Sequence, residues 1–202
     1  VKGMKIIMVT LISIFGATTT LAALSPPKGW YIDGNVGLSN VDNTSFGNGT
    51  KLETNTNSFG LNVNAGYKFF PYFALEMGYT RYARENIQFN GATVAKLNPS
   101  AYDISTKAIL PVQNSGFEFF AKVGVARLLS KVTINDQNSI NVNGLTVTSG
   151  TTKVTGVYYG VGGEYYFWPT TGVHLSWTEI IGNNQTGNPM LIALGITHIF
   201  NW

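Results

Sequence analysis

Few side chains in this 202-residue sequence are equipped for chemistry, and their spacing narrows what they could do. There is no Cys, which excludes thiol nucleophiles, disulfides and Cys-ligated zinc. The two histidines, His174 and His198, have no clustered carboxylates beside them, so neither a metal nor a cofactor is expected. His174-Leu175-Ser176, followed by Glu179, is the one run with a base and a hydroxyl on the same face of a strand. The other candidates are ionic. Asp33, Lys68, Glu76, Lys107, Glu118, Lys122, Glu164 and His174 fall on the polar positions of segments that alternate with apolar residues. If those positions face an enclosed interior, their charges must be paired. Lys68 and Glu76 flank a short turn almost symmetrically, as do Glu164 and His174, so each pair is expected to meet across adjacent strands.

The elements that would carry these residues read as strands. In 58–69, SFGLNVNAGYKF, Phe59, Leu61, Val63, Ala65, Tyr67 and Phe69 share one face. Gly60, Asn62, Asn64, Gly66 and Lys68 share the other. The same period of two recurs at 30–38, 73–82, 102–110, 117–125, 157–167, 173–177 and 192–202, giving eight strands. Only 11% of residues are charged, against about 25% in ordinary soluble domains. Phe, Tyr, Trp and Leu dominate one face; Gly, Asn, Thr, Lys and Glu dominate the other. A glycine-rich polar face suits a crowded interior, so the apolar face is expected to meet lipid. Arg81, Arg127 and Glu179 share the lipid-facing parity but sit at strand ends, at headgroup level.

The connections alternate in length. Short turns fall around Pro71, at 111–115 and at 168–171, each with a Pro; long polar segments fall at 40–57, 83–100, 128–152 and 180–189. Stretches around 132–134 and 142–148 could extend strands beyond the membrane. The expected fold is all-β: an eight-stranded antiparallel up-and-down transmembrane β-barrel with four long extracellular loops and short periplasmic turns. Trp30, Tyr31, Phe69, Phe70, Tyr72, Phe73, Tyr166, Phe167, Trp168, Phe200 and Trp202 cluster near the turns as an aromatic girdle. Asn48-Gly49-Thr50 reads as loop chemistry and not as a glycosylation acceptor.

Residues 4–23, MKIIMVTLISIFGATTTLAA, have the form of a Sec signal peptide: a lysine, a short apolar core, then small residues. Residues 1–23 are therefore expected to be cleaved, leaving 24–202 as a single barrel domain. Removing Lys2 and Lys5 from the 13 Lys and Arg leaves 11, against 10 Asp and Glu, for a net charge near +1. No basic patch stands out along the sequence, and no nucleic-acid partner is expected.

The opening strand WYIDGNVGLSNVD, FALEMGYTRY, YYGVGGEYYFWP and the closing MLIALGITHIF together resemble the eight-stranded OmpA-like transmembrane domain and the related opacity-type surface antigens. The resemblance covers nearly all of the expected mature chain. It implies an outer-membrane location, lipid and lipopolysaccharide as surroundings, and a carboxylate–cation network at Glu76, Lys107, Lys122 and Glu164. It places His174 where the family commonly has Arg, which makes that partner pH-sensitive. Ile196, Phe200 and Trp202 match the C-terminal signal read by the barrel-assembly machinery, with His198 at a position usually apolar or aromatic.

The resemblance implies a monomer with a structural or surface-interaction role, in adhesion or envelope integrity, its loops open to a host or surface ligand. The interior would be plugged by the polar network. The alternative is a small-ion channel gated by the interior ion pairs. Some barrels of this size modify lipid A with a His-x-Ser pair. Here the pair faces inward, Trp177 replaces the Asn that should follow Ser176, and His174 lies near the periplasmic turn. The chain is accordingly read as having no catalytic residues.

Overall fold

The structure is a computed structural model and describes residues 26–42, 58–89, 92–112, 115–134, 139–142, 145–148, 150–183 and 186–200. The expected signal peptide, Trp202 and most of the first long loop, with Asn48-Gly49-Thr50, lie outside these residues. The elements in chain order are β1 (Gly29–Asp42), β2 (Ser58–Phe70), β3 (Phe73–Arg81), β4 (Glu85–Phe89), β5 (Ala92–Pro111), β6 (Phe117–Ile134), β7 (Ser139–Val142), β8 (Leu145–Thr148), β9 (Gly150–Trp168), β10 (Thr171–Ile181) and β11 (Asn188–Phe200).

Eight of them close a ring. The hydrogen-bonded order is β3, β2, β1, β11, β10, β9, β6, β5, and β5 pairs back onto β3. Every pairing is antiparallel. The first and last strands meet from Trp30 opposite Phe200 to Asp42 opposite Asn188. Closure leaves no sheet edge, so the backbone groups find partners without water. Alternation sets sidedness. Leu61 and Val63 are 54% and 52% exposed on the outside, whereas Asn62 and Asn64 are 6% and 2% exposed inside. Apolar residues cover the outer wall of all eight strands, a belt far larger than a soluble monomer presents to water.

The strands run further than their alternation suggested. Residues 83–100, read as a loop, form β4 and the first part of β5, paired from Glu85–Leu97 to Phe89–Ala92. In the 128–152 segment β6 continues to Ile134, β9 begins at Gly150, and β7 pairs with β8 as a separate two-stranded sheet. There the outward face turns polar, with Lys131, Thr133, Thr151, Lys153 and Thr155, while inward positions such as Leu128 stay apolar, so the apolar-outside pattern ends while the ladder continues. At about 3.3 Å per residue, the 20, 18 and 19 residues of β5, β6 and β9 reach roughly 60 Å, beyond any tilted span of the hydrocarbon.

The turns at the opposite end are tight. Between β5 and β6, Val112 N donates to Phe117 O (2.8 Å) and Gly116 takes φ = 73°, a left-handed conformation that side chains resist. Ile199 N donates to Thr170 O (2.7 Å), tying the third turn to the closing strand.

The lumen is filled in three levels. Near the short turns Tyr31, Ala74, Ile109, Phe120, Tyr166 and Ile199 form an apolar cluster. Toward the long loops Tyr82, Ala101, Ala126, Leu128, Tyr158, Ile180, Leu191 and Ala193 form another. Most polar and ionic groups lie between, while Lys68 and its partner Glu118 sit at the level of the lower cluster, Lys68 opposite Ala74 and 5.9 Å from the Tyr166 ring. The interior is therefore not glycine and polar residues alone, as the alternation suggests: apolar side chains close both ends. Tyr31 and Tyr166 also leave the expected girdle and point inward, 4% and 3% exposed. Gly66 and Gly162 make room for rings: a Cβ on either would overlap Tyr31 or Phe120 respectively.

Candidate functional site

All eight ionic residues singled out from the sequence, Asp33, Lys68, Glu76, Lys107, Glu118, Lys122, Glu164 and His174, line the lumen at no more than 6% exposure. Their partners differ from nearest-neighbour expectation. Lys68 does not meet Glu76. The β2–β3 register sets Ala74 opposite Lys68 and Gly66 opposite Glu76, leaving the two ionic residues at different heights. Lys68 Nζ instead donates across the lumen to both oxygens of Glu118 (2.8 and 3.0 Å).

Across the ladders like charges face each other: Lys107 opposite Lys122, and Glu118 opposite Glu164. Such pairs repel, and contacts through the lumen resolve them. Glu76 binds Lys122 at 2.5 Å and Lys107 at 3.6 Å, and accepts a hydrogen bond from Tyr31 (2.6 Å). Lys107 also reaches Glu164 at 3.3 Å. Its ammonium lies 4.3 Å from the centroid of Phe120, and Lys122 approaches that ring at 5.3 Å. Glu164 Oε1 lies 4.0 Å from His174 Nδ1, the pair that flanks the third turn.

His174 is held at both nitrogens. Nε2 donates to Asn35 Oδ1 at 2.5 Å, and Nδ1 lies 3.1 Å from Thr197 Oγ1; with one Nε2 proton, Nδ1 accepts from the threonine. Neither nitrogen is left for Ser176, although Ser176 is buried on the same inward face. Asp33 accepts from the side-chain amides of Asn35 and Asn64, both at 2.6 Å. Asn62 continues this amide ladder to Thr80 at 2.9 Å. Tyr31, Asn35, Asn62, Asn64 and Thr197 join the network, and Asp103 lines the lumen with them, without any residue-level signal that separates the six from other inward positions. Asp103 faces Gly78 in the ladder, and that pairing of a carboxylate with a position lacking a side chain becomes readable only once the register is known.

Ile196 and Phe200 of the expected assembly signal point outward, 59% and 41% exposed; Trp202 lies outside the described residues. His198, between them, is outward too, with Thr171 Oγ1 2.9 Å from its Nδ1. On the outer rim Glu179 accepts from Tyr159 OH (2.7 Å). Arg81 and Arg127 are exposed there, and Arg84, Lys96, Lys131 and Lys153 join them, so the absence of a basic patch from the linear sequence does not carry over to the folded surface.

A closed antiparallel ring of eight strands, apolar outside and ionic within, is a transmembrane β-barrel. The family described as "Outer membrane protein beta-barrel domain" matches residues 7–200, and the chain belongs to it, which places the protein in the outer membrane. The chain is similar to an uncharacterized protein of Coxiella burnetii (strain RSA 493 / Nine Mile phase I), 28% identical over 213 residues covering 85% of each. Its fold is similar to Neisserial surface protein A, with TM-score 0.58 and 13% identity over 85% of this chain and 97% of that one. It is also similar to Ail, the attachment invasion locus protein of Yersinia pestis, solved in complex with the heparin analogue sucrose octasulfate. That match has TM-score 0.56 and 16% identity over 86% and 99% of the two chains. At these identities the likeness is one of fold.

Proposed function

We propose that this outer-membrane barrel is a sealed scaffold that serves envelope integrity and surface interaction through its long-loop end, and is not an open pore or an enzyme. The observation that carries the reading is the filled lumen: an ionic layer cross-linked by Lys107, Glu76 and Lys122, between two apolar clusters. An eight-stranded ring has an interior about as wide as its own side chains, so such filling leaves no continuous water path. The engagement of both His174 nitrogens away from Ser176 supports a non-enzymatic role. In this reading the long loops face outward and the turns face the periplasm.

A second reading, a gated small-cation path, draws on the charge inventory. Among the described inward residues the carboxyls of Asp33, Glu76, Asp103, Glu118 and Glu164 outnumber the ammonium groups of Lys68, Lys107 and Lys122. Planar-bilayer recording of the purified, refolded chain separates the two. The sealed scaffold gives no resolved conductance steps; reproducible cation-selective steps would overturn it in favour of the gate. Unchanged acylation of lipid A in cells with and without the gene is expected alongside.

A further inference from the structure

Six cations distant in the sequence share one outer wall: Arg81, Arg84, Lys96, Arg127, Lys131 and Lys153. Of the other described Lys and Arg, Lys68, Lys107 and Lys122 lie inside and Lys28 lies at the short-turn end. The outward positions of β1, β2, β10 and β11 above Lys28 carry no Lys or Arg among the described residues. The register brings the six together. Tyr102 faces Arg127 and Asn98 faces Lys131 across β5–β6, Leu129 faces Lys153 across β6–β9, and Arg81 faces Ser100 across β3–β5. Arg81, Arg84, Lys96 and Lys131, with Ser100 and Thr133, line a cleft of about 610 Å³ that opens sideways from the barrel.

The height of this cleft selects its ligand. Directly below it Tyr79 and Tyr102 stand outward with ring centroids 4.9 Å apart, the placement of interfacial aromatics. Below them the wall is Met77, Ile104, Val125 and Val157. The cations therefore begin where the hydrocarbon belt ends, on the wall that continues upward as β5, β6 and β9. The lining of the cleft holds guanidinium, ammonium and hydroxyl donors and no carboxylate, although Glu85 follows Arg84 in the chain, and such a donor set matches phosphate oxygens.

We propose that this cleft binds the phosphates of a multiply phosphorylated glycolipid of the outer leaflet, whose acyl chains lie along the apolar wall beneath. The proposal rests on the orientation given above, with the long loops outward. A ligand anchored in the bilayer presents its phosphates at this level and from the side. A soluble polyanion would instead meet the loop tips first.

The test uses the full chain refolded into phosphatidylcholine nanodiscs and titrated with bis-phosphorylated lipid A or its dephosphorylated form, bound lipid being read by native mass spectrometry. The phosphorylated form is expected to bind at least about tenfold more tightly, and added salt to weaken it. Each neutralised cation should weaken binding about fivefold, and Arg81→Gln/Lys96→Gln/Lys131→Gln on the order of 100-fold. Lys28→Gln, at the other end, should leave it unchanged. A gel shift on boiling reports that each variant is folded; should the triple variant not fold, Lys96→Gln alone carries the test. Equal binding of the two lipids, or undiminished binding by a folded variant, would overturn the proposal. So would equal affinity for a heparin-derived oligosaccharide, which would point to a soluble polyanion. Labelling of Asn48→Cys by an impermeant maleimide on intact cells tests the orientation separately; no labelling would overturn the outer-leaflet assignment whatever the nanodiscs report.

Discussion

Lys107 illustrates what residue types alone leave open. Its inward parity is legible, because it sits on the polar face of an alternating segment. Its contacts with Glu76 and Glu164 join strands that parity cannot relate. Removing one member of a buried pair strands the rest, whereas removing both members with apolar replacements does not. Lys107→Met is therefore expected to cost about 3–5 kcal/mol, and Lys68→Met/Glu118→Leu to range from neutral to about 4 kcal/mol more stable. Urea unfolding in micelles, followed by gel mobility, measures both, and equal losses in the two variants would contradict the network. Gly162 is a second residue-scale case. Gly162→Ala should cost about 1–3 kcal/mol by pushing on Phe120, and Phe120→Leu in the same chain should recover part of it. A purely additive double-mutant cycle would show that the two positions do not touch.

At the scale of elements, the strands that cross the belt are the ones whose alternation is visible, since each has hydrocarbon on one side and a polar lumen on the other. β2 was readable over 58–69 for this reason and spans Ser58–Phe70. The outer parts of β5 and β9 were not, and that of β6 only around 132–134, because water lies against their outward face and polar residues replace the apolar ones that mark a lipid-facing side. The same boundary sets a mutational gradient. Leu194→Arg, on the apolar belt between Val36 and Leu175, should destabilise by about 2–4 kcal/mol, while Thr155→Arg, on the polar part of β9, should cost no more than about 1 kcal/mol. The measurement is the pair of urea midpoints in phospholipid vesicles; similar costs at both depths would place the belt elsewhere.

For the whole molecule, closure is the decisive event. The β1–β11 ladder joins Trp30 to Phe200, nearly the full described length, so chain-end contacts must form before the ring exists. Folding dominated by such distant pairings is slow, and the closed product is resistant to dissociation once formed. Unboiled protein is therefore expected to migrate on detergent gels apart from boiled protein. A chain ending at Gly187 should lose that difference, because β10 and β1 would both be left as open edges in lipid. An unchanged shift in the truncated chain would mean that closure does not depend on β11.

Alternation of side chains by itself determined which residues face lipid and which face the lumen, because a strand's period of two leaves no other arrangement once its faces differ in polarity. From that followed the eight-stranded class, the inward set of ionic residues and the positions of the short turns. Tertiary structure decided who meets whom. Strand stagger sent Lys68 to Glu118 in place of Glu76, set apolar clusters above and below the ions, and collected six cations from 73 residues of sequence onto one wall. These are properties of a closed ring, in which register and curvature bring together side chains far apart in sequence, and in the case of Lys68 and Glu118 side chains from strands that share no ladder.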